Sequence, residues 1–87
     1  NQKGDTEGIV NYGLTIKGID FAVIFIEHKE EGIIKISFRS QGEFDVNEFA
    51  RKHFSGGGHI NAAGGKSLLS LEDTIKKFIA ILASEKK

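Results

Sequence analysis

The 87-residue sequence contains no cysteine, no proline and no methionine, and its twelve basic and twelve acidic residues cancel. Without cysteine there is neither a disulfide framework nor a thiolate metal site, which fits a reducing compartment. Without proline there is no proline-rich linker. The chain opens on Asn1 and has no methionine to serve as an initiator. It therefore reads as a piece of a longer protein. A net charge of zero gives no long-range attraction for a nucleic-acid backbone, so any such contact must be local. No apolar run approaches the ~20 residues of a membrane span, and no signal-peptide pattern opens the chain. A cytoplasmic protein without membrane contact is the expectation.

What is present suits one soluble domain. At 39% hydrophobic and 28% charged the composition is ordinary, and seven phenylalanines with many isoleucines supply core volume. A chain of this length holds a single core.

Residues 1–20 mix glycine and polar residues with Ile9, Val10, Leu14 and Ile16. Asp5 or Thr6 as a cap, with Glu7 in the first turn, predicts a short helix placing Ile9, Val10 and Leu14 on one side. The run Phe21 to Glu27 is dense in β-branched and aromatic residues, as in a strand covered on both faces. A turn at Lys29-Glu30-Glu31-Gly32 follows. Ile34, Ile36 and Phe38 then alternate with Lys35, Ser37 and Arg39, completing a β-hairpin.

Asp45 and Glu48 form a capping-box variant, and Phe44 with Phe49 sit where a hydrophobic staple belongs. A helix is predicted from there to about Phe54, ended by Ser55-Gly56-Gly57-Gly58. Lys66 to Leu69 read as a short strand. Ser70 caps a last helix with Leu71, Ile75, Phe78, Ile79 and Leu82 as its apolar stripe. The order predicts an α+β fold, a small mixed sheet with helices packed on it.

The chemistry concentrates in Gly56-Gly57-Gly58-His59 and the Asn61-Ala62-Ala63-Gly64 that follows. Consecutive glycines place backbone N–H groups at a bare surface, where they form a concave anion nest. One helical turn over 60–63 would aim further N–H groups at the same ligand. His59 adds a ring donor, and small residues let a nucleotide approach. A flexible helix terminator beside a surface histidine is the alternative. The directed histidine, the amide of Asn61 and the small residues favour an anion site. Arg39, on the polar strand face beside Ser37, is a second phosphate ligand through its paired donors, or else an ordinary exposed arginine.

Two other motifs fail. Gly65-Lys66-Ser67 ends like a P-loop, yet Ile60 stands where that motif needs its first glycine. The dinucleotide fingerprint would need glycine at Asn61. The interval from His53 to His59 matches no zinc or calcium pattern, so no metal site is expected within these residues.

The run GGGHINAAG, preceded by IIKISFRSQG and DVNEFARKHF, resembles the type 1 DHH-associated domain of the DHH phosphoesterases. The opening DTEGIVNY with IDFAVIF is similar to the branch of bifunctional oligoribonucleases that dephosphorylate pAp. The resemblance covers nearly the whole of residues 1–87. It implies a C-terminal substrate-binding domain facing a catalytic DHH domain in cis across a cleft. Two divalent metals, manganese by that family's habit, would be bound by the DHH domain and none by this chain. The family's glycine loop maps onto Gly56, Gly57, Gly58 and His59, with Asn61 beyond it. Its strand arginine maps onto Arg39, between Ser37 and Ser40.

These residues would grip a substrate phosphate or the terminal nucleotide of short single-stranded RNA. No residue here is a nucleophile or general base, so this chain alone is expected to be inactive. Related domains in cyclic-dinucleotide phosphodiesterases and RecJ-type single-strand exonucleases leave those substrates open. A non-catalytic RNA-binding module, as in alanyl-tRNA synthetases, and a structural or dimerisation domain whose glycine loop packs tightly against a partner are the readings from other classes, and a homodimer is a further partner to test.

Overall fold

The computed structural model describes residues 8–16 and 18–85. Strand β1 spans Gly8–Ile16, β2 Ile19–His28 and β3 Ile33–Ser40. Helix α1 covers Val46–His53, and β4 (Gly57–His59) with β5 (Ala62–Ser67) precedes helix α2, Leu71–Glu85. The five strands form one sheet in the order β1-β2-β3-β5-β4. The α+β expectation holds, with one correction: each neighbouring pair is antiparallel, so the sheet is not mixed. Short reversals link β1 to β2 and β2 to β3. The chain then crosses through α1, lays β4 at the far edge and folds β5 back between β4 and β3.

Both helices cover one face. Phe49 of α1 and Phe78 of α2 meet at 6.1 Å between ring centroids. Beneath them lie Phe21, Val23 and Phe25 of β2 and Ile34, Ile36 and Phe38 of β3, all buried. All seven phenylalanines join one aromatic cluster. The two-faced burial expected for Phe21 to Glu27 is therefore corrected. Ala22 is exposed and Ile24 and Ile26 are only half-buried, because among the described residues no element covers the second face.

The helix expected near the start is a strand. Gly8 and Gly13 weaken a helix, and pairing with β2 instead sends Val10, Tyr12 and Leu14 toward the core at period two. The expected cap at Asp5, Thr6 and Glu7 lies outside the described residues. The last strand is also displaced: it runs over Ala62–Ser67, and Leu68 and Leu69 follow it in the exposed connection. In α2, Ile79 departs from the expected stripe and is 52% exposed, whereas Thr74 is buried.

The capping readings hold. The Asp45 carboxylate accepts from Glu48 N–H at 2.9 Å, the Phe44 and Phe49 rings meet at 6.1 Å, and Ser70 Oγ accepts from Asp73 N–H at 3.0 Å. Gly32 takes φ +70° at the hairpin turn. Replacing Asp45 with alanine removes an N-cap acceptor and is expected to cost about 1 kcal/mol, read from urea denaturation. A loss below a few tenths would show that the cap is held by the staple alone.

Candidate functional site

Of the candidate site residues, Arg39 and His59 stand on the sheet face opposite the helices, where the cross-strand register decides who stands beside whom. Arg39 of β3 lies opposite Ala62 of β5, which lies opposite His59 of β4. Residues in register share a face, so Arg39 and His59 flank a small alanine at about 10 Å, two strand spacings. The next row joins Ser37, Gly64 and Gly57. A cleft of about 400 Å³ opens where β1, β2 and β3 end near the β4–β5 turn. Arg39, Asp20 and Gln41 give it polar groups, and Gly13, Leu14 and Ala22 give it apolar surface. The Arg39 Nη1 donates to Phe38 O at 2.9 Å, which uses one of five guanidinium donors.

The glycine run is built differently from the expected nest. Gly57 and Gly58 are extended and belong to β4, and 60–61 form the turn of a β4–β5 hairpin, so the expected helical turn at Ile60 to Ala63 is corrected. The physical reason is close backbone approach. A side-chain carbon on Gly56 would overlap Gly64 O, and one on Gly58 would lie 2.6 Å from Ala62 O. Across the pair, a side-chain carbon on Gly65 would sit 2.8 Å from Phe54 Cβ. The Gly58 N–H is itself engaged, donating to Asn47 Oδ1 at 2.8 Å.

Ser40 and Asn61 hold the corner between β3 and that hairpin. Ser40 Oγ donates to Phe44 O at 2.7 Å and accepts from Asn61 Nδ2 at 3.0 Å. Asn61 Nδ2 also reaches Gly42 O at 3.2 Å, and the backbone bond from Val46 N–H to Ile60 O, 2.8 Å, ties the turn to α1. The structure thus brings Arg39, Ser40 and Asn61 to one cleft, while Gly57 to His59 form an edge of the sheet and Gly56 leads into it.

Sequence reasoning missed Asn47 and Arg51. Arg51 Nε donates to Asn47 Oδ1 at 3.2 Å, and both side chains lie against Gly57. Their four-residue spacing was visible as one helix face, but nothing local tied that face to the glycines. Asp20, Thr15 and Gln41 were also missed, since their convergence depends on strand register. Among the described residues no three His, Asp or Glu side chains cluster as metal donors. The donor set for a two-metal centre does not fit these residues.

The model of the DHHA1 domain matches residues 1–85. The chain belongs to the DHHA1 domain family. In DHH phosphoesterases this domain accompanies a catalytic DHH domain. The DHHA1 domain described here is similar to the crystal structure of an exopolyphosphatase-related protein from Bacteroides fragilis, with a TM-score of 0.70 and 41% sequence identity. The match covers 76% of this chain and 19% of that one, so the chain spans about a fifth of the solved protein's length. No curated protein matches it.

Proposed function

We propose that this DHHA1 domain is the substrate-binding half of a metal-dependent phosphoesterase that hydrolyses short oligoribonucleotides or pAp. One observation carries the reading: Arg39 lines one cleft together with Gly13 and Ala22, which stand in register with it across β1, β2 and β3. A nucleotide needs that pairing, a fork of donors for phosphate and a dry surface for base or ribose. His59, two strands away, addresses a different group of the same ligand, as a 3′,5′-bisphosphate or a dinucleotide would offer. The glycines of this edge carry no side chains of their own, so the ligand can lie close to the backbone on the side away from Asn47 and Arg51. The DHH domain, in cis, supplies both metals and the attacking hydroxide. The 87-residue chain positions the substrate and has no turnover of its own.

The name of the Bacteroides fragilis protein raises a second reading, an inorganic polyphosphate substrate. A polyphosphate chain has no apolar part for Gly13 and Ala22 to cover, which places it behind the nucleotide. Kinetics of the protein carrying its DHH domain separate them. Arg39→Ala and His59→Ala are each expected to raise KM for pAp about tenfold or more, as loss of a charge-assisted hydrogen bond implies, with metal content unchanged. Unchanged KM in both variants removes the assignment. Faster turnover of tripolyphosphate than of pAp or a diribonucleotide selects polyphosphate instead.

A further inference from the structure

The sheet has two edges, and they are treated differently. The β4 edge is three residues long and lies beside α1, whose Asn47 and Arg51 pack on it. The β1 edge is nine residues long, Gly8–Ile16, and none of them is charged. Its ladder with β2 runs unbroken from Gly8 opposite Glu27 to Ile16 opposite Ile19, so no bulge turns the edge away. Among the described residues nothing pairs with its outer side. Soluble proteins guard such an edge with charge, proline, a bulge or a covering element, and among the described residues β1 has none of these.

The apolar surface beside this edge is equally unfinished. Val10, Tyr12 and Leu14 face the core but are only half-buried. Helix α2 shows which side it leaves open. Thr74 Oγ1 bonds Ser67 Oγ of β5 at 2.8 Å on one flank. On the other flank Leu71 packs against Gly8 of β1. Ile75 and Ile79 follow Leu71 at successive i+4 steps, so they run along the β1 side. Ile79 is the exposed member, at 52%.

We propose that the β1 edge is a homodimer interface, in which two copies of this chain pair β1 with β1 antiparallel about a two-fold axis at Tyr12. The strand is self-complementary in that register. Tyr12 is its midpoint, and pairing Tyr12 with the partner's Tyr12 sets Val10 opposite the partner's Leu14. All three core-facing pairs are then apolar with apolar. On the other face Ile9 meets the partner's Thr15 and Asn11 the partner's Gly13. No pair opposes like charges. The two α2 helices come side by side, covering Ile79, and two five-stranded sheets become one of ten. The contact is isologous and closes at two copies. Because Leu14 and Thr15 also line the Arg39 cleft, the partner's Ile9 and Val10 arrive at its rim.

Sedimentation equilibrium and cysteine cross-linking test this on the 87-residue chain. The chain should reach twice its 9.5 kDa mass at up to millimolar concentration. Ile79→Glu, at an exposed helix position, should return it to monomer with its dispersed amide spectrum intact. The sequence has no cysteine, so single cysteines report cleanly. Tyr12→Cys places two thiols across an antiparallel pair, about 4.5–5.5 Å between Cα atoms and within disulfide reach. It should cross-link under a mild thiol oxidant at least about tenfold faster than Asn11→Cys, whose two copies are offset along the strand. A monomer at millimolar concentration overturns the proposal, as does a dimer whose Tyr12→Cys form links no faster than its Asn11→Cys form. A dimer that a folded Ile79→Glu variant leaves intact overturns it as well.

Discussion

Replacing Phe38 with alanine is expected to remove about 3–5 kcal/mol, a large share of the domain's stability. Phe38 is fully buried and its ring contacts Phe21 at 6.3 Å, Phe49 at 5.4 Å and Phe54 at 5.8 Å between centroids. It therefore joins the sheet to α1 and to the residue that ends α1. Truncating a buried phenylalanine costs about 3–5 kcal/mol through lost burial and the cavity left behind. At roughly 0.05–0.15 kcal/mol per residue, a chain of this length has about 4–13 kcal/mol in total. The loss is thus a large share of all the stability there is. Relaxation cannot recover much, because the neighbouring rings are already packed against one another on several sides. Urea denaturation followed by far-UV circular dichroism checks it. A midpoint shift equivalent to under about 1 kcal/mol would mean that the cluster refills the space.

The second large effect is expected at Gly56. A methyl group there would overlap the carbonyl oxygen of Gly64 and lie 2.6 Å from the Cα of Gly65. Both obstacles are backbone, held in the sheet by the pairing of β5 with β3. The only way to admit the methyl is to move β4 off β5. Gly56→Ala should cost about 3 kcal/mol or more, as overpacking against fixed atoms does, and should release the β4 amides to rapid hydrogen exchange. Gly13→Ala is the matched control. Nothing lies within 4 Å of the position its methyl would take, so its stability should change by less than about 0.5 kcal/mol. Equal effects of the two substitutions would show that the glycine run is loose rather than clamped.

That contrast bears on how the glycine run is understood. Three adjacent glycines suggested bare N–H groups aimed at an anion. In the folded chain Gly56 and Gly58 are glycine because neighbouring backbone leaves no room for a side chain, and Gly58 N–H bonds Asn47. The same compactness brings His59 into register with Ala62 and Arg39. The run therefore shapes the edge of the proposed binding surface by packing, and Arg39 and His59 carry its donors.

Elements whose cause is local were legible in the residues. Asp45 and Ser70 cap helices through backbone donors three positions on, and Gly32 turns a hairpin, all within a few residues of chain. The alternation from Ile34 to Arg39 announced β3 because one face is buried and the other is open. Where the cause is remote, the same reading failed. Val10, Tyr12 and Leu14 fit a strand only once β2 lies beside them, since the pattern of residues 8–16 by itself also suits a short helix. The half-open face of β2 depends on both helices packing to one side, which a run of apolar residues does not disclose. Asn47 and Arg51 meet Gly57 only because β4 folds back along α1.

The sequence by itself determined an α+β domain with one phenylalanine-rich core, two capped helices and a chemically suggestive stretch around Arg39 and Gly56 to His59. Hydrogen bonds and burial periods that span a few residues are enough for that. Only the tertiary structure decided that Gly57 and Gly58 belong to a strand, that Arg39 shares a cleft with Leu14 and Asp20, and that among the described residues β1 stands at the end of the sheet. Those outcomes depend on register between segments far apart in the chain, and register is set by which faces find a common core.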